Sequence, residues 1–202
     1  MGITTKQFQQ LQERLVRPRR SATDPEAASA PVASNPHRVI LGVDPSLRGT
    51  GYGVIRLARP CPETLAQGTI SCPASWEPSR CLFRIADTLR QIVRAHAPTL
   101  CVVEGLFYAQ NLQTALVMGQ ARGAALVAVA EGGLEVCEIA PRKVKQAIVG
   151  YGAAQKSAVA RMVQRLLQLP ELPAPDAADA LALALAHLQG NGRLSLTPTR
   201  RI

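Results

Sequence analysis

Between Arg38 and His187 the chain alternates short apolar runs with longer stretches whose apolar residues recur at helical spacing. Segments 38–44, 51–57, 65–71, 99–104 and 134–139 read as strands. Two of them, Val39-Ile40-Leu41-Gly42-Val43-Asp44 and Leu100-Cys101-Val102-Val103-Glu104, are apolar until their last residue, as strands buried on both faces of a parallel sheet are. The first three strands follow one another closely, with turns marked by Gly49, Gly51, Pro60 and Pro62, which predicts an antiparallel meander. From 79 to 96, Leu82, Ile85, Ala86, Leu89, Ile92 and Val93 fall on one helical face and Pro98 lies beyond the end. Further helices are predicted over 111–131, stopped by Gly132-Gly133, and over 141–149, 155–169 and 176–188. The order predicts an α/β domain, a mixed five-stranded sheet flanked by helices.

The flanks differ from this domain. Residues 1–37 carry Phe8, Leu11 and Leu15 at helical spacing, then Arg17, Arg19 and Arg20, then a Ser, Ala and Pro stretch. They read as a flexible basic extension with a short helix, and residues 189–202 as a polar C-terminal tail. The domain is expected over 38–188, a common size. Five cysteines lie far apart with no metal-binding spacing, and no secretory apolar segment precedes them; reduced thiols and a cytoplasmic location are expected. The apolar stretches are broken short of a membrane span, so no membrane crossing is expected.

Charge narrows the partners. A formal net charge of +9 predicts attraction to a polyanion. Arg142, Lys143, Lys145, Lys156, Arg161 and Arg165 follow one another without an intervening acid. That stripe is either a solvated helix face or a row of phosphate contacts, and its single sign favours the second. A different stripe, Ala115, Gly119 and Gly123, recurs every four residues and allows close approach of a second element; spacing alone favours packing inside the chain.

Asp44 and Glu104 close the two apolar strands, at the strand ends where open parallel sheets place their crevice. Asp176 and Asp179 sit three apart and share one face of a helix. Singly, Asp44 before Pro45 can be a turn residue, and the helix pair can complement the helix dipole. Glu104 is harder to explain that way, because Gly105-Leu106-Phe107 follows it and not a polar turn. Together the four acids form an oxygen-donor set suited to Mg²⁺ or Mn²⁺.

Leu41-Gly42-Val43-Asp44-Pro45, Thr50-Gly51-Tyr52-Gly53-Val54, Val103-Glu104, Gly119-Gln120-Ala121-Arg122-Gly123, Val144-Lys145-Gln146, Val149-Gly150, Lys156-Ser157 and Asp176-Ala177-Ala178-Asp179-Ala180-Leu181-Ala182 occur in this order. The set resembles the RuvC-type Holliday junction resolvases. The resemblance implies an RNase-H-like fold and a homodimeric endonuclease that resolves four-way junctions by paired metal-dependent nicks in DNA recombination and repair. It implies two Mg²⁺ ions per site, with Mn²⁺ a possible substitute, on the catalytic tetrad Asp44, Glu104, Asp176 and Asp179. It also implies that Phe107 stacks near the junction centre, that Lys145 and Lys156 lie near the scissile strand, and that the Ala115, Gly119 and Gly123 helix forms the dimer interface. A RuvA and RuvB branch-migration complex is the implied partner. With the basic stripe, the expected DNA-binding set is Phe107, Arg142, Lys143, Lys145 and Lys156.

Two positions depart from the family pattern: Ser46 stands where Gly is usual, and Gly105 where a larger polar residue is common. Two other functions compete. A catalytically silent junction-binding protein would bind without cutting, which the complete tetrad disfavours. An actin-like phosphotransfer protein would need a second domain and an adenosine site, for which the chain has no room. The stretch 150–157 fails as a phosphate loop because Gln155 stands where that motif needs Gly.

Overall fold

The five expected strands form as β1 (Val39–Asp44), β2 (Gly49–Arg56), β3 (Glu63–Ser71), β4 (Leu100–Glu104) and β5 (Glu135–Ile139) in the computed structural model, which describes residues 37–105, 111–192 and 200–201. The helix expected near Phe8, Leu11 and Leu15 lies outside these residues, as does Phe107. β1, β2 and β3 make the expected antiparallel meander, with a register shift at Val54/Ile55. β4 pairs parallel to β1, and β5 parallel to β4. Each parallel step needs a long crossover, which α1 (Pro78–His96) and α2 (Leu112–Glu131) supply. A sixth strand, β6 (Arg200–Arg201), pairs antiparallel with β5 and extends the order to β3-β2-β1-β4-β5-β6.

Side-chain alternation along the strands sorts the core into two layers. Leu41, Val43, Cys101 and Val103 face α1 and α2, with Ile85, Leu89, Ala121 and Ala125. Ile40, Leu100 and Val102 face the other way, toward α3 (Pro141–Val149), α4 (Lys156–Leu166) and α5 (Pro175–Gly192). By the same alternation the side chains of Asp44 and Glu104 belong to the α5 side.

α5 lies directly on the sheet because glycines clear its path. A β-carbon on Gly42 would stand 1.9 Å from the Ala180 carbonyl oxygen, and one on Gly51 2.0 Å from that of Asp176. Gly51, expected both as a turn marker and as the first residue of the second strand, lies within β2 under the first turn of α5. The helix is buried nearly all round, from Ala177 to His187, which suits its Ala and Leu composition. It continues to Gly192, so with β6 it gives structure to part of the stretch expected as a polar tail. That stretch has no apolar periodicity, which is why the sequence alone did not mark it.

α2 requires a correction. The apolar runs were expected to fall short of a membrane span, yet Leu112–Glu131 reaches a mean hydropathy of 1.2 and is long and apolar enough to cross a membrane by length and composition. Its Gln and Arg residues interrupt the run without lowering the average enough. In the fold it packs on α1 and β5, and an Arg90–Glu131 ion pair at 2.6 Å ties it to α1.

Candidate active site

β1 and β4 are adjacent, central and parallel, with Val43 beside Val103, so their last residues, Asp44 and Glu104, emerge side by side at one end of the sheet. Asp176 and Asp179 lie in the first turns of α5. The glycine trough brings Asp176 over Gly51, the β2 partner of Asp44. The four acids predicted from the sequence therefore converge.

Their electrostatics show a cluster short of positive charge. Burial, then Asp179 and Asp176, push Asp44 up to about 6 against a counteracting Lys156. Burial, then Asp44 and Asp179, push Glu104 up to about 7, against Lys156 and Lys145. Like charges in a partly desolvated site favour the protonated form. A divalent cation would reverse that preference, and an all-oxygen donor set suits a hard one. Among the described residues the acids do not close into a ready-made metal cage. The Lys156 ammonium instead ion-pairs with Asp179, Nζ to Oδ2 at 2.6 Å, and this hydrogen bond raises the lysine's own pKa.

Lys156 is the first residue of α4, and its N-cap Gln155 makes no side-chain capping bond. The basic residues divide. Lys145 and Lys156 act on the acids, whereas Arg142 and Lys143 are exposed on α3 and Arg142 lies along Gly152. Ser46 does not adopt positive φ, so its departure from Gly needs no adaptation of the turn. Thr50, fully buried, holds that turn: its hydroxyl donates to the Ser46 carbonyl at 2.6 Å and accepts from the Ser46 N–H at 3.1 Å. Gly105 donates its N–H to Ile139 at 2.9 Å.

Among the described residues, β-carbons on Gly119 and Gly123 would meet nothing within 4 Å, so the internal packing that spacing suggested finds no partner there; Ala115 is half-buried, and Leu112 and Leu116 are 75% and 58% exposed. Sequence reasoning missed the role of Arg122, which is buried and bridges the Glu104 carbonyl and the Glu138 carboxylate. A lone charge inside an apolar helix was the available signal.

Residues 40–187 match the family described as Crossover junction endodeoxyribonuclease RuvC. A relative of that name from Akkermansia muciniphila is 45% identical over 149 residues, covering 74% of this chain and 89% of the relative. One from Shewanella amazonensis is 46% identical over 149 residues, covering 74% and 86%. Among solved structures, T. thermophilus RuvC in complex with Holliday junction substrate matches with a TM-score of 0.74 at 31% identity, covering 82% of this chain and 100% of that one. The yeast mitochondrial Holliday junction resolvase Ydc2 shares the fold alone, with a TM-score of 0.52 at 11% identity over 75% and 79% of the two chains. The mixed sheet flanked by helices is the RNase-H-like arrangement that the sequence predicted. With the family match running from β1 to the end of the buried part of α5, the chain belongs to the RuvC family of crossover junction endodeoxyribonucleases.

Proposed function

We propose that this chain is a divalent-metal-dependent endonuclease that resolves four-way DNA junctions by paired nicks in recombination and repair. The observation that carries this reading is the pairing of Asp44 and Glu104, both pushed up by burial and like charge, at adjacent strand ends under the first turn of α5. Asp44, Glu104, Asp176 and Asp179 would hold Mg²⁺, two ions per site, with Mn²⁺ as a substitute. Bound metal supplies local charge reversal, a more acidic attacking water and stabilisation of the leaving oxygen.

The chain's own groups position the DNA. Lys145 and Lys156 flank the acids and offer ammonium donors to phosphate oxygens, and the first N–H groups of α4 add backbone donors beside Lys156. Arg142 and Lys143 extend the basic surface along α3, and Phe107 is the expected stacking residue. In the cleavage step the water oxygen bonds to phosphorus as the P–O3′ bond breaks in line. The water gives up a proton, and the departing O3′ takes one from solvent to leave a 3′ hydroxyl opposite a 5′ phosphate.

Two cuts on one junction need two sites, which a two-fold homodimer supplies. The exposed Leu112, Leu116 and Gly119 on α2, with half-buried Gly123 on the same side, support that contact. The reading brings RuvA and RuvB as branch-migration partners and places the protein in the cytoplasm with its DNA, away from the membrane. Purified protein incubated with a synthetic junction or a matched linear duplex, in Mg²⁺, Mn²⁺ or EDTA, tests it. Cutting of the junction with either metal and not in EDTA is expected; binding without cutting would favour the silent-binder alternative.

A further inference from the structure

Arg122 is the one charged residue between Leu112 and Ala130. Its side chain is 10% exposed and that of Glu138 18%. A guanidinium this deep in an apolar helix is unfavourable unless its donors are met. One is met by Glu138 Oε2 at 2.5 Å, on β5. A second, on Nη1, donates to the main-chain carbonyl of Glu104, at the last residue of β4. Glu104 therefore has its carboxylate on the α5 side of the sheet and its carbonyl held from α2. Glu138, next to Val103 in the ladder, holds the other end of the same guanidinium.

We propose that Arg122 is a positioning residue that fixes the end of β4, and with it the direction of the Glu104 carboxylate, so that the acids meet a divalent cation in register. The inference rests on the nuclease reading for its purpose, although its first measurement does not need DNA. Because Arg122 belongs to α2, the helix carrying the exposed small-residue face also holds the backbone of a metal-binding acid. Groups that orient a ligand without touching the metal commonly change its affinity by about 10- to 100-fold.

The test uses the full chain and Mn²⁺ alone, with free Mn²⁺ followed by electron paramagnetic resonance, for wild type, Arg122→Gln, Arg122→Lys and Glu138→Gln. Arg122→Gln is expected to bind Mn²⁺ about ten-fold more weakly. Arg122→Lys should recover part of the loss, and Glu138→Gln should shift affinity the same way by less. Junction binding in EDTA should be unchanged in all three, and raising Mn²⁺ should restore cutting. Wild-type Mn²⁺ affinity in Arg122→Gln and Glu138→Gln overturns the proposal, even if thermal stability falls, because Arg122 would then only hold the fold together. If Arg122→Gln does not fold, Arg122→Lys and Glu138→Gln decide by the same criterion. Wild type that binds Mn²⁺ yet never cuts a junction would sink the nuclease reading while the affinity series still decides the positioning role; wild type that binds no Mn²⁺ would sink both.

Discussion

Burial and the neighbouring carboxylates hold Asp44 at about 6 and Glu104 at about 7, above their ordinary values of 3.8 and 4.5. In the metal-free protein the native state then binds more protons than the unfolded chain between those limits. The contribution to stability is fully present below about pH 4 and is lost as pH rises through 6 and 7. Asp44→Asn and Glu104→Gln remove that liability together with a proposed metal donor. Each should melt at a higher temperature than wild type in EDTA at pH 8, with the gap narrowing as pH falls below 7 and closing near pH 4, and each should cut junctions at least about 100-fold more slowly while still binding them. A lower melting temperature at pH 8, or cleavage within a few-fold of wild type, would count against the assignment. Lys145→Ala and Lys156→Ala act on DNA instead: each should weaken junction binding across sequences and reduce the salt slope by about one. An unchanged slope in both would take these lysines off the DNA path. Asp44 and Glu104 were legible because a charge that ends an apolar run is conspicuous in one dimension, and Asp176 and Asp179 because three-residue spacing puts them on one helix face. The partners of Arg122 were not, since Glu104 and Glu138 come to it from two different strands.

At the scale of elements, the site depends on how closely α5 approaches β1 and β2. Gly42 has no room for a methyl group, because the atom it would meet is the Ala180 backbone oxygen, which cannot swing away as a side chain can. Gly42→Ala should lower stability by roughly 1–3 kcal/mol in urea unfolding and should reduce cleavage further than that loss explains, since a shifted α5 carries Asp176 and Asp179 with it. A wild-type unfolding midpoint would mean that the helix does not sit in this trough. The sequence marked most elements well, because strand and helix periods differ and Gly and Pro punctuate them. It did not show why Gly51 is glycine, since that depends on a helix that follows it by more than a hundred residues, and it missed β6, where two arginines offer no pattern until β5 lies beside them.

At the scale of the whole molecule, the proposed dimer would make α2 a link between assembly and chemistry. The helix's inward face carries Arg122, and its exposed face carries Leu112, Leu116 and Gly119. Since a β-carbon on Gly119 would meet nothing within 4 Å among the described residues, Gly119→Leu should leave the protomer folded while separating or re-spacing the proposed two-fold dimer. Light scattering should then report a smaller species or an altered dimer, and junctions should receive uncoupled single nicks; an unchanged dimer with paired nicks would place the interface elsewhere. The claim on which the other predictions depend is that this chain resolves junctions by paired, metal-dependent cuts. Strand-resolved mapping of the products from a synthetic four-way junction, with each strand end-labelled in turn, tests it most directly. Symmetric nicks in two strands of like polarity, dependent on Mg²⁺ and absent with Asp44→Asn, are the predicted result. Bound but uncut junctions in Mg²⁺, or equal cutting of a linear duplex of the same sequence, would contradict it.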